Sequence, residues 1–97
     1  MVRFEEVRAM GANWNVELVL AEEGRDTRCR ARLSGRNGVA MVGEGVAHAN
    51  PEDENVPAIG DELAAARALS DLAHQLLNGA ARDIESRTHE PVQGLRA

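Results

Sequence analysis

The chain has 97 residues, a net charge of −5 and 43% hydrophobic content, enough for one domain with one modest core. Cys29 is the only cysteine, which excludes an intrachain disulfide, and no apolar run reaches the length of a bilayer span. With no signal-peptide apolar region in MVRFEEVRAM, a cytoplasmic protein is expected.

Phe4 and Trp14 are the only aromatic residues, so the core must be built from Leu, Val, Ala and Ile. A core this small often needs a partner subunit. The charge is unevenly spread. Arg25, Arg28, Arg30, Arg32 and Arg36 fall close together with one acid, Asp26; that stretch is about +4 and the rest about −9.

Residues 1–12 read as an N-terminal arm or a short helix with Phe4, Val7 and Met10 on one side. A single α+β domain spans residues 13–91, and residues 92–97 form a tail. At Trp14 the period becomes two: Trp14, Val16, Leu18 and Leu20 alternate with Asn15, Glu17 and Val19, the pattern of a half-buried strand. A turn over Glu22–Asp26 leads to a second strand, in which Thr27, Cys29, Ala31 and Leu33 alternate with Arg28, Arg30 and Arg32. Ser34–Gly38 is rich in residues that tolerate positive φ and forms the next turn, and a third strand runs from Val39 to about Ala47.

Placing the apolar residues on one face suggests a register: Leu18 opposite Cys29, Trp14 opposite Leu33, Ala31 opposite Met41. The other face then sets Glu17 against Arg30 and Glu44 against Arg28, which are favourable cross-strand pairs. From Asp61 the spacing is helical through Leu63, Ala66, Leu69, Leu72, Leu76 and Ile84, with Asp61 as the expected N-cap. Pro91 ends any continuation. Three antiparallel strands and one long C-terminal helix make a two-layer α+β fold.

Candidate sites are few. Gly43-Glu44-Gly45 looks like a phosphate turn, but no third glycine follows, and the expected helix opens on Asp61 and Glu62, which repel phosphate. The glycines are better read as letting an Ala-rich helix approach the sheet. His48 with Glu52, Asp53 and Glu54 lacks a second histidine at ligand spacing, so Asn50-Pro51 reads as a turn, and no metal or cofactor is expected. His74 lies a turn from Asp71 with no nucleophile placed beside it, and Cys29 faces the core, so no catalytic constellation forms and a non-enzyme is expected. The arginine stripe of Arg28, Arg30 and Arg32, with Arg25 and Arg36 at its ends, is the feature with functional reach. Arginine suits phosphate contacts, yet that face has no aromatics to stack bases, and acids oppose two of its arginines. Direct RNA contact is therefore the less favoured reading, and a charge-paired face the more favoured.

Several runs together resemble a family of small actinobacterial proteins, the domain of unknown function 1876 family. They are Trp14-Asn15-Val16, Gly43-Glu44-Gly45-Val46-Ala47, Asn50-Pro51-Glu52-Asp53, Val56-Pro57-Ala58-Ile59-Gly60-Asp61-Glu62-Leu63 and Ala66-Arg67-Ala68-Leu69-Ser70-Asp71-Leu72. The resemblance covers residues 13 to 91 and implies a fold like the double-stranded-RNA-binding domain, dimeric members and a structural likeness to ribosome hibernation factors. It carries over no catalytic residue. The matching Gly43, Gly45, Pro51, Pro57, Gly60 and Asp61 read as structural positions; Arg67 and Asp71 read as a helical ion pair or a partner contact. The basic helix start of a double-stranded-RNA reader is absent, since Asp61 and Glu62 stand there.

The expectation is a homodimeric interaction protein that acts on the ribosome or another macromolecular surface, in stress or dormancy by the same resemblance. The alternative is a small-molecule-binding module using the sheet face or a dimer groove.

Overall fold

In the computed structural model, residues 11–36 and 38–91 are described. Three strands, β1 (Asn15–Glu23), β2 (Asp26–Arg36) and β3 (Val39–His48), form an antiparallel sheet in the order β1-β2-β3, and one helix, α1 (Pro57–Thr88), follows. The two-layer α+β arrangement is the one the periodicity predicts. Residues 1–10 and 92–97 lie outside the described residues, and with them the expected N-terminal helix or arm and the tail.

The β1–β2 turn is tighter than the expected Glu22–Asp26. Pairing begins at Glu23 opposite Asp26, leaving only Gly24 and Arg25 in the loop. Gly24 has φ 61, the positive value that the first loop position of a type II′ hairpin requires. The register consequently differs from the expected one by two residues. Val16 lies opposite Leu33, Leu18 opposite Ala31, and Leu20 opposite Cys29. Leu33, not Ala31, lies opposite Met41, because pairing in the second hairpin already starts at Arg36 opposite Val39, and the shift between Leu33 and Arg36 moves the register by only one residue. A slip of two keeps every side chain on its own face and changes only its neighbours.

The helix begins earlier than expected. Val56 is the N-cap, without a side-chain cap bond, and Pro57 stands at the first position. Proline fits there because its fixed φ is helical and its missing N–H would have had no partner. Asp61 is therefore inside the first turns rather than capping them. At the other end His89 takes a left-handed conformation, φ 60, and its N–H donates to the Glu85 carbonyl at 2.7 Å.

The core is Cys29, Ala31, Leu33 and Ala47 from the sheet against Ala64, Ala68 and Leu72 from α1. This corrects the expected helix face, since Leu63 and Leu69 are 45% and 42% exposed. The physical reason lies in β3. A Cβ at Gly43 would meet the Ala68 carbonyl and come within 2.6 Å of the Leu72 amide. At Gly45 it would meet the backbone of Ala64 and Ala68. The helix lies directly on a glycine shelf, and only its alanine row fits there.

A second correction concerns β1. The helix lies over β2 and β3, and all nine residues of β1 are exposed instead of half-buried. Its apolar row remains open, with Val16 47% and Leu20 40% exposed.

Candidate functional site

The face of the sheet away from the helix carries the even-numbered residues of β2 and β3 and the odd-numbered residues of β1. Arg28, Arg30 and Arg32 all stand exposed there. The register decides their partners. Glu44 lies opposite Arg30 and accepts its guanidinium at 3.3 Å, so the expected pairing of Glu44 with Arg28 gives way to this one. Both groups are well exposed, so the pair adds little, roughly 0.2–1 kcal/mol. Glu17 lies opposite Arg32 rather than Arg30. Arg28 sits between Ala21 and Val46. Among the described residues, neither Arg28 nor Arg32 has an ion pair or hydrogen bond. Val19, Ala21 and Val46 floor a shallow depression of about 480 Å³ between these charges.

The two ends of the stripe have other work. Arg25 Nη1 donates to the backbone carbonyls of Asn50 and Asp53, at 3.0 and 2.9 Å, and so anchors the Pro51 turn to the first hairpin. Arg36 lies over the Trp14 ring, 5.6 Å from its centroid. The candidate surface thus contracts from five arginines to three, of which two have no partner among the described residues.

Arg67 and Asp71 do not pair with each other. Arg67 Nη1 donates to the Val46 carbonyl at 2.7 Å, and Asp71 Oδ2 accepts the Glu44 N–H at 2.8 Å. Gln75 completes the series by donating to the Val42 carbonyl at 2.7 Å. Four helical residues rise about 6.0 Å, and two strand residues about 6.8 Å, so side chains four apart on α1 meet backbone groups two apart on β3. The outer edge of β3 is hydrogen-bonded by the helix. Gln75 is the residue that sequence reasoning missed; its signal is the polar i, i+4, i+8 row alongside the alanine row.

A carboxyl pair sits where β1 meets the helix. A hydrogen bond with Asp61, and then the Asp61 charge, hold Glu22 above its ordinary pKa. Asp61 Oδ1 is buried and unpartnered among the described residues. The preceding residue, Gly60, lies close against Thr27 on β2, for a Cβ there would come within 2.7 Å of Thr27 Oγ1. Burial, and secondarily Asp61, push the Cys29 thiol up, so it stays protonated and poorly nucleophilic. His48 Nδ1 lies 2.7 Å from Asp26 Oδ1 and ties the ends of β2 and β3. Asp71, the expected neighbour of His74, is engaged by Glu44 and Gln75. Among the described residues no three His, Cys, Asp or Glu side chains converge on a metal position, and no helix is long and apolar enough to cross a membrane.

Residues 12–93 match the Rv2632c-like family. The uncharacterized protein Rv2632c of Mycobacterium tuberculosis H37Rv is 50% identical over 86 residues, which cover 89% of this chain and 91% of that one. The uncharacterized protein Mb1767 of Mycobacterium bovis is 47% identical over 81 residues, covering 84% and 85%. The crystal structure of Rv2632c aligns with a TM-score of 0.76 at 49% identity, covering 84% of this chain and 96% of that one. The chain belongs to the Rv2632c-like family.

Proposed function

We propose that this protein is a non-enzymatic, cytoplasmic homodimer that engages an acidic macromolecular surface, the ribosome foremost, through the open face of its sheet. The observation that carries the reading is the exposed guanidinium groups of Arg28 and Arg32, which have no partner among the described residues and flank Arg30 on one strand. Fixed, fork-shaped cations at regular strand spacing suit phosphate or carboxylate groups on a partner. Choosing the ribosome, and a role in stress or dormancy, rests on the resemblance to the domain of unknown function 1876 family and to hibernation factors. Among the described residues the face has no aromatic side chain, which favours contact with backbone phosphates or acidic side chains over stacked bases.

Co-sedimentation with actinobacterial ribosomes across a salt series tests this. Two phosphate contacts per protomer predict a log–log slope of roughly −1.5 for each protomer. Absence of binding at low salt sinks the ribosome assignment.

The depression of about 480 Å³ supports a second reading, a site for a small anionic ligand held by the same arginines over Val19, Ala21 and Val46. A thermal shift with one carboxylate or phosphate compound from a metabolite panel, in a protein indifferent to ribosomes, would select it.

A further inference from the structure

We propose that two copies of the chain pair antiparallel along β1, with Leu18 on the two-fold axis, to form a continuous six-stranded sheet. The two edges of the sheet are treated differently. The outer groups of β3 are taken up by Arg67, Asp71 and Gln75, whereas no helix side chain bonds to the outer edge of β1 among the described residues. Among the described residues, β1 also has few of the protections of a free edge: it is nine residues long and contains no proline, lysine or bulge, and its charges are Glu17 on the open face and Glu22 and Glu23 at its end.

The direction of the free groups follows from the β3 contacts. Val42, Glu44 and Val46 point their backbone away from β2, so Gly43 and Gly45 exchange hydrogen bonds with Ala31 and Cys29. Arg28, Arg30 and Arg32 then bond to β1 through Ala21, Val19 and Glu17. That leaves the N–H and C=O groups of Val16, Leu18 and Leu20 directed outward, on the very residues whose side chains form the uncovered apolar row.

A second copy is the occupant that fits, because the row is self-complementary. A two-fold through Leu18 sets Leu18 against the partner's Leu18, and Val16 against the partner's Leu20. All three apolar side chains are then matched. The open face agrees in charge: Glu17 falls opposite the partner's Val19, beside the partner's Arg30. A two-fold through Val19 would instead put Glu22 against Val16 inside the strand, whereas the Leu18 axis sets Glu22 only against the partner's Trp14, which lies outside β1. One through Glu17 would put like charges face to face. The joined sheet carries two arginine triads on one face. The pairing gives a surface to the homodimer proposed above, and its test reads assembly alone. Loss of ribosome binding therefore leaves it standing, and its own failure leaves ribosome binding standing.

The experiment is site-directed crosslinking in a Cys29→Ala background, with sedimentation velocity of the unaltered protein beside it. Directly opposed residues of a hydrogen-bonded antiparallel pair have Cα atoms about 5.5 Å apart, within disulfide reach. Leu18→Cys is expected to form a disulfide-linked dimer on mild oxidation, and Val19→Cys is expected to remain largely uncrosslinked. Wild type is expected to sediment as a dimer, and Leu18→Glu as a folded monomer by circular dichroism. A monomeric wild type, a dimer that survives Leu18→Glu, or crosslinking through Val19→Cys in place of Leu18→Cys overturns the proposal.

Discussion

Gly45 has no room for a side chain, because a Cβ there would run into the α1 backbone at Ala64 and Ala68. Gly45→Ala must push the helix off the sheet, and an overpacked site of this kind costs about 3 kcal/mol. Urea denaturation is expected to show that loss, while Gly24→Ala acts only through its positive φ. Glu22 works in the opposite direction. Its pKa is raised in the fold, so the folded state holds more protons than the unfolded state just above the ordinary glutamate value. Its contribution is present below the unfolded pKa and is lost as pH rises through the folded one. Glu22→Gln is expected to raise the melting temperature at pH 7 and to leave it unchanged well below pH 4, by thermal melts at both. An unchanged melting temperature at neutral pH would remove the Asp61 contact from the account.

The β3 edge and α1 are held together by a polar ladder whose pitch matches both elements. Removing one rung exposes a backbone group to water rather than burying it, so Arg67→Ala or Asp71→Ala is expected to cost about 1 kcal/mol. Asp71→Ala should also speed hydrogen exchange at the Glu44 amide, measured against the Gly43 amide on the same strand. The elements themselves are legible in the sequence. Alternation from Val16 to Leu20 and from Thr27 to Leu33 reads as strands, and its parity assigns the faces. Register is less legible, since Glu22–Asp26 holds turn residues enough for loops of several lengths, and only Gly24 takes the positive φ. The helix start misleads because Asp61 has the chemistry of a cap, while Pro57 is equally suited to a first position. Arg67 and Asp71 read as a local pair because their true partners, on β3, are distant in sequence.

At the scale of the molecule, a small core leaves two surfaces with different chemistry. The helix covers β2 and β3, so β1 presents an apolar row on one side, while the opposite face of the sheet presents arginine. The arginine cluster is visible in the sequence, but its membership is not. Arg25 and Arg36 separate from it only when the fold brings Asn50, Asp53 and Trp14 against them. The uncovered row escapes sequence reading because period two says which residues share a face, not whether a helix reaches that face. The most direct test of the functional claim is ribosome co-sedimentation at low salt of the Arg28→Glu, Arg32→Glu double variant beside wild type. Arg30 is kept so that its pair with Glu44 survives. Wild type is predicted to bind and the folded double variant to lose binding at least tenfold, equivalent to about 1.4 kcal/mol. Equal binding by both proteins, or none by wild type, would contradict a role for this face on the ribosome.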